Sequence, residues 1–290
     1  MKNKLNKVAK DINIYLQKII KSQKKTYLIK PMKYGLFSGG KKIRSKILVD
    51  VGKIFNVNYK FLIALGAAVE CIHSYSLIHD DLPIMDDDDL RRGKLSTHKK
   101  FGESTAVLAG NSLLTLAFEI ISDKKLKIHT DLKIKLINQL SKSSGHLGIA
   151  GGQYLDLNFE NKKVGYSKVV NMQIKKTGEL FSFCCIAPAI IKKKNIKTIN
   201  NLNFIGSQIG LLFQLTDDLI DYKGDSKIAG KKTKKDKKKG KATLINLLKY
   251  SKSIKYLYNL QNKIIFEIEK YGPKTKNLID SIKFITYRAS

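Results

Sequence analysis

Apolar residues recur near a 3.6-residue period along almost the whole chain, and that rhythm predicts helices. Leu5, Val8, Ile12, Leu16, Ile19 and Ile20 form one stripe and predict an amphipathic helix over 4–25. Residues 31–40 read as a loop and 42–54 as a helix. Residues 61–79 form a strongly apolar helix in which Ala64, Ala67 and Ala68 allow close neighbours. Further helices are predicted over 103–122, 132–144, 167–190, 203–222, 243–260, 261–271 and 278–287. The glycines at 148–152 interrupt the pattern. Gly178 lies inside a helical stretch, where it costs about 1 kcal/mol against alanine, so a kink or a close approach is expected there. No window alternates with period two, and no hairpin signal separates two β-branched runs. The expectation is an all-α fold forming a single domain over residues 1–290.

Composition agrees with that picture: only four prolines and no tryptophan in 290 residues favour long helices over a turn-rich β fold. The net charge of +31 raises a nucleic-acid reading. Lysine is spread over the chain rather than gathered into one stripe, which argues against that partner. Arginine occurs only at 44, 91, 92 and 288. Three of the four lie in or beside motifs, where a planar two-pronged donor does what an ammonium cannot. Cys71, Cys184 and Cys185 fit no disulfide framework or metal-ligand spacing and read as small core residues in a reducing compartment. The basic N-terminus has its apolar residues interleaved with charge, and no apolar run is long enough to span a bilayer. A cytoplasmic protein is expected.

Against the basic background, residues 80–89 hold six aspartates. Two like charges about 4 Å apart repel by roughly 4 kcal/mol at an effective dielectric near 20, so such a cluster calls for a cation. Carboxylate oxygens suit a hard divalent ion, and Arg91 and Arg92 follow at once as donors suited to phosphate. By itself the stretch also reads as a solvated acidic turn ending a helix. A second group, Gln214-Leu-Thr-Asp217-Asp218-Leu-Ile-Asp221, places Asp217 and Asp221 on one helical face. These acids end an apolar helix at its C-terminus, where the macrodipole is already negative. His73 lies two turns before Asp80, about 10 Å away on the same face, whereas His79 reads as a core histidine bonded to backbone. Gly39-Gly40-Lys41-Lys42-Ile43-Arg44 offers a flexible turn and cations for one anion. Lys176-Thr177-Gly178 sets a cation and a hydroxyl where a helix bends.

In order, GGKKIR, DDLPIMDDDDLRRG, KTGELF and FQLTDDLID resemble the motifs of the short-chain trans-isoprenyl diphosphate synthases, most closely the prokaryotic type of farnesyl diphosphate synthase. The resemblance runs from Gly39 to about Leu248. It implies an isoprenoid-synthase-type bundle of helices around a deep central cavity, usually a homodimer, with two or three Mg²⁺ per active site. By matching positions, Asp80, Asp81 and Asp86 and then Asp217, Asp218 and Asp221 are the implied metal residues. Lys41, Arg44, His73 and Arg92 correspond to those binding isopentenyl diphosphate. Arg91, Lys176, Thr177, Gln214, Lys231 and Lys241 surround the allylic diphosphate, with Lys176, Thr177 and Gln214 in the catalytic role. Gln153, in Gly151-Gly152-Gln153-Tyr154-Leu155-Asp156, is placed near the reacting end. Tyr75 and Ser76 set product length, and an aromatic at 75 goes with a C15 product; a geranylgeranyl product is the alternative. The chain departs from the family at Ser45, where proline is frequent, and at Leu244-Ile245, where Tyr-Pro is frequent. A terpene cyclase would share the metal and the fold but would not need GGKKIR. A silent partner subunit would usually lack one acidic group, and a nucleic-acid binder would bind DNA with steep salt dependence.

Overall fold

The stripe from Leu5 to Ile20 becomes the buried face of helix α1 (Lys2–Ser22). Each of its fully buried aliphatic side chains contributes roughly 1.5–3 kcal/mol of transfer free energy. The computed structural model describes residues 2–224 and 240–288. Within these, α2 (Ile29–Leu36), α3 (Ile43–Ile54), α4 (Tyr59–Asp80), α5 (Thr97–Phe101), α6 (Glu103–Ser122), α7 (Thr130–Ser144), α8 (Ile149–Asn158) and α9 (Tyr166–Gln173) follow in order. A π-helical turn (Ile174–Gly178) joins α9 to α10 (Glu179–Ile191). Then come α11 (Ile196–Lys223), α12 (Leu244–Leu248), α13 (Tyr250–Glu269) and α14 (Lys276–Tyr287).

The all-α expectation holds, and its errors have local causes. The loop expected over 31–40 contains α2, because Pro31 falls in the first turn, where its missing N–H costs nothing. The glycines at 148–152 start α8 rather than only ending the pattern. No breaker separates residues 260 and 261, so α13 runs through them on a buried stripe of Leu257, Leu260, Ile264 and Ile268. The break falls instead at Lys249, with φ of 65°. One element has no signal in the sequence: a two-residue hairpin, Leu90–Arg91 against Lys94–Leu95. Its turn residues Arg92 and Gly93 both have positive φ, at 53° and 75°, as a type I′ turn requires.

The helices gather into two compact units. One comprises Lys2–Val49 and Asn58–Ile137; the other is chiefly Asp50–Val57 and Asn138–Ser290. In the first, α4 is the central helix, with α1, α2 and α6 packed on it. Gly66 lets α1 approach closely there, since a Cβ would meet the Ile12 Cδ1 at 2.7 Å and displace the end of that side chain. In the second, α10 packs along α11, and Phe181 sits against Phe213 with ring centroids 5.4 Å apart. All three cysteines are buried, and burial pushes the Cys185 thiol up to about 12, so it is inert packing material. The expectation that no apolar run is long enough to span a bilayer does not hold: by length and composition α4 and α6 could each cross one, with 83% of the most apolar window of α4 buried inside the fold and 44% of that of α6.

Candidate active site

The C-terminus of α4 delivers the first acidic group. The chain then folds back on itself: the Asp86 N–H donates to the Asp80 carbonyl at 2.8 Å, and the Asp88 N–H to the Asp81 carbonyl at 3.1 Å. Acids six or seven residues apart in sequence are thereby set side by side. Asp81 and Asp88 are buried, and Arg91 serves both. Its Nε donates to Asp81 Oδ1 at 3.0 Å, its Nη2 also donates to Asp81, and Asp88 Oδ2 lies 3.6 Å away. Burial pushes the Asp81 carboxyl above the usual carboxylate range, with the Arg91 guanidinium working against it. Asp80 and Asp86 are half-buried, and Asp87 and Asp89 are exposed. Asp89 pairs with Lys99 at 2.9 Å. Asp87, Asp89 and the buried His98 bring one ligand atom each within 4.8 Å of one another, close enough to hold a metal ion.

The hairpin turn aims Arg92 the other way. Its guanidinium donates to the Gly39 carbonyl and lies 3.4 Å from Ser38 Oγ. Gly40 has a φ of 105°, a conformation that strains any residue with a side chain, and a Cβ there would also push the end of Arg92 aside from 2.6 Å. Lys41 is exposed on this turn, and Arg44 Nη1 donates to His73 Nε2 at 3.3 Å. Burial, then the charges of Arg44, Arg92, Lys42 and Arg91, push the His73 imidazole well below its ordinary value of 6.5. His73 is therefore neutral, with its proton on Nδ1 and its Nε2 lone pair toward Arg44. On acidification the unfolded chain takes up this proton before the folded one does. The His73 contribution to stability is intact above about pH 6.5 and falls below it, by at most about 1.4 kcal/mol per pH unit. His73→Gln should flatten the fall in denaturant midpoint between about pH 6.5 and 5 relative to the parent; an unchanged slope would contradict the neutral assignment.

Tyr75 is buried, and its ring meets His79 edge-on with centroids 5.4 Å apart. His79 Nε2 lies 3.0 Å from the Val107 carbonyl, which is the backbone bond expected of it. Ser76 Oγ donates to the His73 carbonyl at 3.0 Å.

In the other unit, a π-turn widens the helix at Gly178, where the sequence predicted a kink or a close approach, while the dihedrals on both sides stay helical. The close approach occurs. A Cβ on Gly210 would meet Gly178 Cα at 2.3 Å, and one on Gly152 would meet Lys176 N at 2.1 Å, so α8 and α11 press directly on the turn. From it, Thr177 Oγ donates to Gln214 Oε1 at 3.0 Å, and Gln214 Nε2 donates to Asp218 Oδ1 at 2.7 Å. Gln173 Nε2 takes the other oxygen of Asp218 at 3.0 Å. Lys176 and Lys241 converge on Asp156 Oδ2 at 2.6 and 3.1 Å. Burial alone would raise the Asp156 carboxyl; the two ammonium groups more than reverse this and hold it below its ordinary value. Asp221 is buried on the same face as Asp217. Gln153 is 7% exposed, and neither its amide nitrogen nor its oxygen has a hydrogen-bond partner among the described residues, so both are open to water or a bound group. Lys231 lies outside the described residues.

Three participants escaped the reading of the sequence. Arg288 donates to Asp217 at 2.8 Å and lies over the Phe213 ring at 5.2 Å. Its rarity as an arginine in a lysine-rich chain was the available signal. Gln173 and the lysine-binding role of Asp156 had none.

The sequence pattern of the family described as Polyprenyl synthetase matches residues 25–279. The farnesyl diphosphate synthase of Bacillus subtilis is 40% identical over 83% of this chain and 81% of its own length. A solved FPP/GFPP synthase from Zymomonas mobilis superposes with a TM-score of 0.88 at 36% identity, covering 98% of each chain. A geranyltransferase from Helicobacter pylori, solved with magnesium and isoprenyl diphosphate, gives 0.83 at 28% identity over 98% of this chain and 96% of that one.

Proposed function

The chain belongs to the polyprenyl synthetase family, and we propose that it is a farnesyl diphosphate synthase. It joins isopentenyl diphosphate to dimethylallyl and then geranyl diphosphate, giving (2E,6E)-farnesyl diphosphate. The observation that carries this reading is the pairing of Asp80 with Asp86 across the loop, next to an arginine that neutralises Asp81 and Asp88. The donors are all carboxylate oxygens, which fits Mg²⁺. Asp80, Asp86, Asp217 and Asp221 are the direct ligands in this reading. Asp81 and Asp218 spend their oxygens on Arg91 and on Gln173 with Gln214, so they hold their neighbours in place.

Mg²⁺, when bound, offsets the charge of the allylic diphosphate as its C–O bond breaks. Lys176 and Lys241 add positive charge to the same leaving group, the role that the family match also gives Lys231. Thr177 and Gln214 form a relay ending on Asp218, so their dipoles are oriented before substrate arrives. Lys41, Arg44, Arg92 and His73 hold the diphosphate of isopentenyl diphosphate, whose double bond attacks the allylic carbon to form the new C–C bond. One proton then leaves to the departed diphosphate, so no side chain need act as general base. The proposal takes residues 1–290 as one catalytic domain, acting as a cytoplasmic homodimer.

Release of inorganic diphosphate tests the reading against a cyclase. With Mg²⁺, release should require geranyl diphosphate and isopentenyl diphosphate together and should stop with EDTA. Equal release from geranyl diphosphate alone would favour cyclisation.

A further inference from the structure

Glu70 is a buried carboxylate that this chemistry does not use. It lies on α4, one turn before His73, and is 4% exposed. Its Oε1 accepts from Ser45 Oγ at 2.7 Å, and its Oε2 faces Lys42 Nζ at 3.5 Å. Lys42 and Ser45 are themselves buried. The Ser45 hydroxyl also lies 3.1 Å from the Gly66 carbonyl, so it is held between two acceptors on α4. Lys42 has a φ of 48°, a conformation that costs a side-chain-bearing residue energy and that a fixed side chain can maintain.

For stability alone, well-packed apolar residues would serve as well as a buried ion pair. A negative charge beside an anion site also weakens the field meant to attract the anion. The position of the pair supplies the reason for keeping it. Lys42 and Ser45 bracket Arg44 in sequence, and Lys42 directly follows Lys41. Anchoring both on Glu70 fixes the turn from which Lys41 and Arg44 project. It also supplies a counter-charge to the cations gathered around His73. We propose that Glu70, through Ser45 and Lys42, is a positioning residue for isopentenyl diphosphate, clamping the Gly39–Arg44 turn in its anion-binding shape. This rests on the assignment of that turn to the second diphosphate.

The test is calorimetric binding of isopentenyl diphosphate to the full chain in EDTA, paired with steady-state kinetics, for Ser45→Ala and Glu70→Gln. Ser45→Ala should weaken binding about threefold to tenfold and Glu70→Gln about tenfold or more, the scale of losing a hydrogen bond to a charged group. KM for isopentenyl diphosphate should rise in parallel, while KM for geranyl diphosphate and kcat change less than about twofold. Affinity within about twofold of the parent in both variants, or equal rises in both KM values, overturns the proposal. So does a parent chain that does not bind isopentenyl diphosphate. Should Glu70→Gln fail to fold by circular dichroism, Ser45→Ala alone decides. A parent that binds isopentenyl diphosphate without forming product would refute the proposed function, while the binding comparison would still decide the clamp.

Discussion

Asp80→Ala and Asp217→Ala are each expected to lower turnover about 10²–10³-fold or more, the range seen when one preorganised electrostatic contact to a developing charge is removed. Neither change should unfold the chain. Asp80 leaves a crowd of like charges, so its loss relieves repulsion when no metal is bound. Asp217 loses a partly exposed pair with Arg288; pairs of this kind are worth about 0–1 kcal/mol. For a chain of this size that is a shift of roughly 2–4 °C in Tm. The helical circular dichroism signal should stay, and the rise in Tm given to the parent by Mg²⁺ with geranyl diphosphate should shrink. Near-normal turnover in either variant would contradict the assignment of these acids to the metal.

Tyr75→Ala should lengthen the product beyond C15. The family resemblance ties a bulky aromatic at this position to a short product, and the packing explains how the ring would resist being pushed aside. Tyr75 rests edge-on against His79. His79 is fixed in turn by its contact with the Val107 carbonyl on α6, and a Cβ on Gly110 would come within 2.2 Å of its Nε2. A floor supported from below by a second helix can stop a growing chain. Removing a buried aromatic costs about 3–5 kcal/mol, so the variant should also melt earlier. Tyr75→Phe keeps the ring and should keep the product. Chromatography of dephosphorylated products would show a shift toward C20 for Tyr75→Ala; an unchanged C15 product would place the floor elsewhere.

The helices were legible because burial imposes a period that a single stripe such as Leu5 to Ile20 displays. The two acidic groups were legible because their charge is costly without a cation. What stayed hidden depends on tertiary partners. Spacing alone set Asp81 and Asp218 beside their neighbours, but it could not show that Arg91 donates to Asp81 and that Gln173 and Gln214 donate to Asp218. The hairpin that turns Arg91 toward the acids and Arg92 toward Gly39 is only two residues deep, below what any alternation can signal. Glu70 looked like one more acid on an apolar helix, because Ser45 and Lys42 lie 25 and 28 residues away in sequence. Gly178, by contrast, was readable through its cost, and the π-turn and the contact with Gly210 account for it.

The central claim is that this chain makes a C15 diphosphate from isoprenoid diphosphates with magnesium. Incubation with labelled isopentenyl diphosphate and dimethylallyl diphosphate in Mg²⁺, followed by phosphatase and chromatography, tests it directly. Farnesol is expected as the principal labelled alcohol, with geraniol as a precursor at short times and nothing formed in EDTA. Label remaining in isopentenol, or a cyclic hydrocarbon as the main product, would contradict it.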